Sequence, residues 1–149
     1  MRIAVACDHG GFPLKVAVLQ AIHDLGYQAL DLGTNSETSS DYPDFAKLAA
    51  EALLSGKVDR SIVMCGSGVG ICIASNKIKG IYASVCHDTY SAHQGVEHDS
   101  MNTLCLGGRV IGTELAADIV KAFLKAEPMQ GENYQRRIAK IKSIESDLS

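Results

Sequence analysis

Five short apolar runs recur along the chain and alternate with segments of helical periodicity. Apolar strands that alternate with helices are typical of a parallel sheet covered on both faces. We therefore predict an α/β fold, a doubly wound three-layer sandwich around a five-stranded parallel sheet. The predicted strands are RIAVAC (2–7), YQALDL (27–32), RSIVMC (60–65), IYASVC (81–86) and NTLCLG (102–107).

Helical spacing of apolar residues fills the gaps between these strands. Pro13 opens the first helical segment and Gly26 ends it, because proline suits a first turn and glycine a helix end. Predicted helical segments cover 13–25, 45–53, 69–77, 90–97 and 115–123.

The last segment, 133–148, is mostly polar but carries one helical stripe of Ile138, Ile141, Ile144 and Leu148. A helix that follows a completed sheet packs either on its own domain or on a partner subunit. The pattern alone favours neither arrangement.

The composition predicts one compact domain over residues 1–149, with no linker or repeat. No apolar run approaches the roughly 18 residues of a membrane span. The net charge of -3, with no basic cluster longer than Arg136 and Arg137, argues against a nucleic-acid surface. The five cysteines form no CxxC pair and lie in or beside apolar runs. We interpret them as reduced thiols of a cytoplasmic protein without a metal site.

Glycine and polar side chains cluster directly after the predicted strands. In a doubly wound sheet, ligands bind outside the carboxyl ends of the strands, where the strand order reverses. We therefore predict a ligand site built from these segments: DHGG (8–11), CGSGVG (65–70), HD (87–88) and GGR (107–109).

Cys65 ends the third strand and precedes a glycine-rich turn that opens a helix. Free N–H groups and the helix dipole at that place favour a thiolate, which can act as a nucleophile or a general base. A small buried apolar residue is the alternative interpretation. The turn itself, 66–70, has the spacing GxGxG and is a weak dinucleotide motif. With the Ser67 hydroxyl, it suits a phosphate, an oxyanion or an enediolate better.

Charged residues near these strand ends add to the predicted site. Asp8 follows the first strand and is a candidate proton shuttle or acceptor for a sugar hydroxyl, with a solvated loop carboxylate as the alternative. Arg109, after the fifth strand, and Arg137, in the tail helix, suit a phosphate or a carboxylate. By pattern alone, His98 is an exposed histidine at a helix end.

These motifs together resemble ribose-5-phosphate isomerases of the B type and the related isomerases of galactose and allose 6-phosphates and of four-carbon sugar phosphates. The similarity extends over nearly the whole chain. The motifs that carry it are CDHGG (7–11), DYPDFA (41–46), CGSGVG (65–70), SNK within 74–86, the His and Met-Asn of GVEHDSMN (95–102) and LGGRVIG (106–112).

The resemblance implies a flavodoxin-like or Rossmann-like sheet and a homodimer or tetramer with active sites between subunits. The tail helix, about 133–148, then packs on a partner subunit. The implied reaction is an aldose–ketose isomerisation through a cis-enediolate, without metal or cofactor. Its expected substrate is ribose 5-phosphate, which becomes ribulose 5-phosphate in the pentose phosphate pathway.

The resemblance also implies roles for individual residues. Cys65 corresponds to the base that moves a proton between C1 and C2, and Asp8 to the residue that handles the sugar hydroxyls. His98 corresponds to the acid that opens the furanose ring. The enediolate cradle corresponds to Gly66, Ser67, Gly68, Val69 and Gly70, and the phosphate side to His9, Arg109 and Arg137.

Two positions depart from the family pattern. Asp99 follows His98 where the family usually has asparagine, and Asn133 stands where the family tends to have an arginine four residues before Arg137. We interpret these changes as a remodelled substrate end. The alternative substrates are erythrose or erythrulose phosphate and allose or galactose 6-phosphate.

Three other functions remain open at the level of sequence. A non-catalytic phosphate- or nucleotide-binding module would use GSGVG but needs no combination of Cys65, Asp8 and His98. A cysteine hydrolase would use Cys65 as nucleophile and His98 as base. The third is an inactive subunit of a hetero-oligomeric isomerase, which would not need to retain these residues.

Overall fold

A computed structural model describes residues 1–148 and contains a five-stranded parallel sheet in the order β2-β1-β3-β5-β4. The chain starts in β1, moves outward to β2, and returns across β1 to β3 on its other side. The strand order therefore reverses between β1 and β3, which confirms the predicted doubly wound topology. The strands are β1 (Arg2–Cys7), β2 (Gln28–Asp31), β3 (Arg60–Cys65), β4 (Ala83–Val85) and β5 (Thr103–Gly107).

Within residues 1–148, five α-helices cover the sheet and a sixth lies at the edge of the molecule, and a 3-10 turn at Phe12–Leu14 precedes the first. The predicted helical segments all correspond to observed helices, whose ends differ by a few residues. The helices are α1 (Lys15–Asp24), α2 (Tyr42–Leu54), α3 (Val69–Asn76), α4 (Thr89–Asp99), α5 (Thr113–Lys125) and α6 (Glu132–Asp147).

Three strands are shorter than predicted: β5 starts one residue late, at Thr103, and β2 and β4 lose residues at both ends. Tyr27 is not part of β2, because its N–H donates to the Ile22 carbonyl and closes the end of α1. Tyr82 is not part of β4, because its N–H donates to the Asn102 side chain at 2.9 Å. In both cases a hydrogen bond outside the sheet takes the backbone N–H that a longer strand would have used.

Strand alternation gives the sheet two unlike faces. On the face covered by α1, α4 and α5, the strands present large side chains such as Ile3, Met64 and Leu106. On the face covered by α2 and α3, they present Ala4, Ala6, Val63, Cys65 and Cys105. The buried residues of α2 that pack against this face are alanines. The helix layer beside Cys65 therefore packs through small side chains.

Helix α6 lies at the edge of the molecule and buries none of its residues. It contacts α4, and its Glu145 carboxylate accepts a hydrogen bond from the Gly80 N–H at 2.8 Å and from the Tyr82 hydroxyl at 3.3 Å. The apolar stripe predicted for this helix stays largely open to solvent, with Ile144 60% and Leu148 83% exposed.

All five cysteines are free thiols, as predicted, and four of them are buried while Cys72 is half-buried. No helix within residues 1–148 is both long enough and apolar enough to cross a membrane.

Candidate active site

A cavity of about 380 Å³ opens at the carboxyl ends of β1, β3 and β5, beside the point of strand reversal. A second cavity of about 570 Å³ shares Asp8, His9 and Tyr42 with it and extends along 39–44. The first cavity brings together most of the predicted site residues. It is lined by Asp8, His9, Gly10, Tyr42, Cys65, Gly66, Ser67, Gly70, Arg109 and Val110.

Glycines let the loops after β1 and β3 approach each other closely. A Cβ atom on Gly10 would lie 2.7 Å from the Gly66 nitrogen, and one on Gly11 would lie 2.5 Å from the Met64 carbonyl. Any side chain at either position would push the two loops apart. This close approach holds Asp8 and Cys65 on the wall of one cavity.

Cys65 is the last residue of β3 and is only 4% exposed. Its Sγ accepts a hydrogen bond from the Gly68 N–H at 3.2 Å. Gly68 is the N-cap of α3 and adopts a φ of 79°, a left-handed conformation that glycine favours. An N–H donor and a helix N-terminus at a cysteine are the surroundings found for reactive thiolates.

The loop 66–70 divides its backbone donors between internal and available ones. The Gly68 N–H is used by Cys65, and the Val69 N–H donates to the Ser67 hydroxyl at 3.2 Å. Within residues 1–148, the N–H groups of Gly66, Ser67 and Gly70 have no hydrogen-bond acceptor. These three donors are available to an anion in the cavity.

Asp8 is 4% exposed and its carboxylate is fixed by the loop that follows β1. One oxygen, Oδ1, accepts hydrogen bonds from the Gly10 N–H at 2.8 Å and the Gly11 N–H at 3.0 Å. Within the described part of the chain, the other oxygen has no protein donor, so it can accept from a hydroxyl in the cavity.

His9 is held in one orientation by Ser40. The ring Nδ1 of His9 accepts a hydrogen bond from the backbone N–H of Ser40 at 3.1 Å. The backbone N–H of His9 donates to the Ser40 hydroxyl at 3.2 Å. Because Nδ1 is an acceptor, the neutral ring carries its proton on Nε2. His9 can therefore donate a hydrogen bond to a bound anion.

Arg109 brings a cation to the opposite wall. Its guanidinium lies over Gly66, where Nη1 is 3.0 Å from the place a Cβ would occupy. The turn that carries it is bound to β3, because the Gly108 N–H donates to the Cys65 carbonyl and the Arg109 N–H to the Gly66 carbonyl, both at 2.9 Å. Among residues 1–148, Arg109 forms no salt bridge.

Sequence reasoning did not single out Tyr42, Ser40 or Val110 as site residues. Tyr42 begins α2, and its ring packs so closely on Gly70 that a Cβ there would lie 2.8 Å from the ring carbon Cζ. The available signal was DYPDFA (41–46), a motif of the resemblance that was not translated into individual roles. Val110 lies in LGGRVIG (106–112), another such motif, whereas Ser40 reaches His9 through tertiary packing and gave no sequence signal.

Six predicted site residues do not line this cavity. Gly68 and Val69 belong to the loop beside it, whereas His98, Asp99, Asn133 and Arg137 lie on other elements. His98 lies near the end of α4, where Nδ1 is 2.8 Å from the Gln94 side-chain amide and the ring packs on Tyr134 of α6 at 4.7 Å between centroids. Asp99 lines a separate cavity of about 410 Å³ that also reaches Cys86 and Ile141. One chain therefore separates the predicted site residues into two groups.

No group of three or more His, Cys, Asp or Glu side chains within 1–148 has the arrangement of a metal site.

Comparison with known proteins places this architecture in a family. The model of the ribose/galactose isomerase family matches residues 3–141. Ribose-5-phosphate isomerase B of Escherichia coli is 44% identical, over 97% of this chain and 96% of the relative. The structure of Clostridium thermocellum ribose-5-phosphate isomerase B is 47% identical and covers 100% of both chains with a TM-score of 0.94. That of the Mycoplasma genitalium enzyme with bound ribulose-5-phosphate is 37% identical and covers 98% and 97%, with a TM-score of 0.89.

Relatives with other substrate names are also similar. The D-erythrulose-4-phosphate isomerase of Pectobacterium atrosepticum is 37% identical over 95% of this chain and 93% of its own length. The galactose-6-phosphate isomerase subunit LacB of Clostridium acetobutylicum is 34% identical over 99% and 86%.

The fold and these similarities define an aldose–ketose isomerase that acts on a phosphorylated sugar. The chain belongs to the ribose/galactose isomerase family. The resemblance found in the sequence motifs is thereby confirmed at the level of family and reaction class.

Proposed function

We propose that this chain interconverts ribose 5-phosphate and ribulose 5-phosphate, with Cys65 as the base. The observation that carries the proposal is the position of the Cys65 sulfur, on the wall of the cavity beside unused backbone donors. Removing a proton next to a carbonyl requires a base and donors directed at the oxygen that becomes negative. Cys65 and the loop 66–70 provide that combination.

In the proposed mechanism, the Cys65 thiolate takes the proton from C2 of the open-chain aldose. The electron pair of the C2–H bond forms the C1–C2 double bond, and the carbonyl oxygen on C1 becomes the enediolate oxygen. The N–H groups of Gly66, Ser67 and Gly70 stabilise that charge. Cys65 then returns the proton to C1 while the O2 hydroxyl loses its proton and becomes the ketone. Asp8 is suited to take that hydroxyl proton and to deliver a proton to the enediolate oxygen on C1, which becomes the C1 hydroxyl of the ketose.

The phosphate is assigned to the side of the cavity that holds His9 and Arg109. The Arg109 guanidinium has no carboxylate partner in the described chain, and His9 presents an N–H at Nε2. Charge-assisted hydrogen bonds from such donors suit a phosphate dianion. An uncompensated cation beside a polar cavity is thus explained by an anionic substrate.

We propose that a second copy of the chain completes the site, with His98 and Arg137 of the partner subunit entering the cavity as ring-opening acid and phosphate ligand. Two observations support this arrangement. In a single chain His98 and Arg137 line no part of the Cys65 cavity. Helix α6, which carries Arg137, leaves Ile144 and Leu148 exposed, and an apolar stripe of this kind is covered in a subunit interface.

Ribose 5-phosphate is preferred because the Escherichia coli and Clostridium thermocellum relatives of that name are 44% and 47% identical, whereas the erythrulose and galactose relatives are 37% and 34% identical. Several other relatives named ribose-5-phosphate isomerase B are 33–37% identical, so identity alone does not separate the substrates. Asp99 and Asn133 support the alternative, a four- or six-carbon sugar phosphate bound at a changed end of the site. A carboxylate at Asp99 repels a phosphate, and Asn133 supplies no positive charge.

We place the enzyme in the cytoplasm and assign its chemistry to protein groups alone. Five free thiols support a reducing compartment. Cys65 and Asp8 carry the proton transfers of the isomerisation, and His98 of the partner subunit carries that of ring opening.

The test is proton NMR of ribose 5-phosphate with the purified protein in deuterated water. We expect loss of the C2–H signal and formation of ribulose 5-phosphate. Cys65→Ala should reduce the rate by at least about a hundredfold, because the base is removed. Cys72→Ala is the matched control, since it removes a thiol from α3 without altering the cavity wall, and it should retain activity.

A Cys65→Ala variant that exchanges C2–H as fast as the wild type would exclude Cys65 as the base. Faster turnover of erythrulose 4-phosphate, allose 6-phosphate or galactose 6-phosphate than of ribose 5-phosphate would select the alternative substrate. Binding of a sugar phosphate or nucleotide without turnover of any sugar phosphate would leave a non-catalytic module.

A further inference from the structure

His87 makes one hydrogen bond that the mechanism above does not use. It follows β4, and its Nε2 accepts a hydrogen bond from the Gly107 N–H at 3.0 Å. The ring is half-buried and lies between the edge strand and the end of β5. The backbone N–H of Gly107, the last residue of β5, is thus bound by the side chain of a residue that follows the neighbouring strand β4.

Gly107 starts the turn that carries Arg109. Its Cα packs against the loop 66–70, since a Cβ on Gly107 would lie 2.7 Å from the Ser67 carbonyl. The next two residues donate to the Cys65 and Gly66 carbonyls, and the Val110 N–H donates back to the Gly107 carbonyl at 3.0 Å. His87 therefore holds the outer side of a turn whose inner side contacts the cysteine loop.

The acceptor role fixes the chemical state of the ring. Nε2 can accept only when it carries no proton, so the neutral ring has its proton on Nδ1. Burial lowers the pKa of His87 below its usual value, although Asp88 acts in the opposite direction. Asp88 itself is bound to the start of α4, where its Oδ1 accepts from the Ser91 N–H at 2.6 Å. Asp88 is thus the charged group that acts on the His87 ring. From the turn after β5, the group that contacts the ring is the Gly107 N–H.

We propose that His87 is a pH-dependent positioning residue, which holds the 107–109 turn in place when neutral and releases it when protonated. Protonation replaces the acceptor with an N–H that faces the Gly107 N–H, so the hydrogen bond breaks and the two donors repel. The turn then loses its outer attachment, and Arg109 and the Cys65 loop lose part of their fixed geometry. The catalytic consequence rests on the function proposed above.

The structural part is tested first and does not depend on activity. The Gly107 amide and the His87 ring are followed by nitrogen–proton NMR from pH 8 to pH 5 in the wild type and in His87→Gln, whose amide oxygen can accept but does not titrate. We expect the Gly107 amide to shift with the same midpoint as the His87 ring, below pH 6.5. In His87→Gln it should not shift in that range. A Gly107 amide that ignores pH, or shifts equally in both proteins, overturns the proposal.

The catalytic part compares kcat and KM for ribose 5-phosphate across the same pH range. His87→Gln should match the wild type at pH 8 and keep its KM at pH 5.5, where the wild-type KM should rise about fivefold, the effect of one lost hydrogen bond. Titration of the substrate phosphate cancels, because both enzymes meet the same substrate. His87→Leu, which has no acceptor, should show the raised KM at every pH.

Equal KM profiles of wild type and His87→Gln with a Gly107 amide that follows His87 would overturn the catalytic role and leave an inert hydrogen bond. If ribose 5-phosphate is not turned over at all, the proposed function fails, whereas the amide titration still decides the role of His87. If His87→Leu does not fold, the comparison with His87→Gln carries the test.

Discussion

Single residues of the same type have different chemistry here because their neighbours differ. Cys65 and Cys72 both lie on the α2/α3 face of the sheet, seven positions apart. The Cys65 sulfur accepts a hydrogen bond from the Gly68 N–H beside the cavity. The Cys72 sulfur instead contacts the side chains of Cys105 and Asn76. A hydrogen bond from the Cys105 thiol, with smaller contributions from the Val85 backbone and the Asn76 amide, outweighs burial and lowers the pKa of Cys72 to about 7.

We predict that alkylation of Cys72 by iodoacetamide reaches half its maximal rate near pH 7. The thiolate is the reacting form, so the rate rises with pH through the pKa. Labelling of individual peptides is followed by mass spectrometry. In Cys105→Ala, which lacks the donor, the midpoint should move upward towards that of an ordinary cysteine. An unchanged midpoint in Cys105→Ala would show that the Cys105 thiol has no influence on Cys72.

The sequence predicted most of the polar residues that line the cavity, but it did not predict their hydrogen bonds. Asp8, Cys65 and Arg109 could be found because each directly follows a strand, and strand ends meet at one edge of a parallel sheet. The use of each loop amide could not be found. Gly66 and Gly68 look alike in GSGVG, yet the Gly66 amide has no acceptor among residues 1–148 and the Gly68 amide binds the cysteine sulfur, because the turn brings only the Gly68 amide back to Cys65.

Among the elements, α6 is attached to the rest of the molecule by few interactions. Glu145 forms two of them, to the Gly80 N–H and the Tyr82 hydroxyl, which together connect the helix with the segment before β4. The same segment is fixed from the other side by Asn102, whose amide donates to the Gly80 carbonyl at 2.9 Å. Burial, with Glu145 nearby, raises the pKa of the Tyr82 hydroxyl.

We predict that Glu145→Ala loosens α6 without unfolding the sheet. Loss of both hydrogen bonds should increase hydrogen exchange in α6 by about tenfold or more, the effect of roughly 1.5 kcal/mol. Exchange of the β1 and β3 amides should stay as in the wild type. Lys140→Ala, a change on the same helix, serves as control and should leave exchange nearly unaltered. Equal exchange of α6 in both variants would mean that Glu145 does not hold the helix.

Apolar periodicity predicted most helices and strands, and the exceptions come from individual hydrogen bonds. β1 and β3 agree with the predicted bounds, since both are central strands with unbroken apolar runs. The β4 run at 81–86 shortened to three residues because the Asn102 side chain binds Tyr82. A side chain twenty positions away cannot be foreseen from the run itself. The position of α6 could not be predicted either, because both of its hydrogen bonds to the segment before β4 come from one carboxylate, that of Glu145.

The whole molecule, as one chain, holds the proposed catalytic groups in two places. Cys65, Asp8 and Arg109 share the cavity, while His98 lies against Tyr134 of α6. If two copies combine these groups, each site uses Cys65 from one subunit and His98 from the other. Inactive variants of the two residues then differ in which half of the site they damage.

We predict that Cys65→Ala and His98→Ala, each inactive alone, recover activity when mixed under conditions that allow subunit exchange. Random exchange makes half of the dimers mixed, and each mixed dimer has one intact site, so about a quarter of the wild-type activity should return. The rate is measured with ribose 5-phosphate before and after exchange. Mixed Cys65→Ala and Asp8→Ala should not recover, because both changes fall in the same half. No recovery in the first mixture would mean that each site is formed within one chain.

The alanine-lined face of the sheet has a consequence for how this sequence can vary. Ala4 and Ala6 of β1 are fully buried in one cluster with the alanines of α2, and α2 begins with Tyr42 on the cavity wall. An added methyl group there displaces the helix, and with it the wall of the site. On the other face, Ile, Leu, Met and Val can replace one another at nearly constant volume. Substitutions that keep the fold are therefore expected mainly on the α1, α4 and α5 side, and the α2 side is the less tolerant of the two.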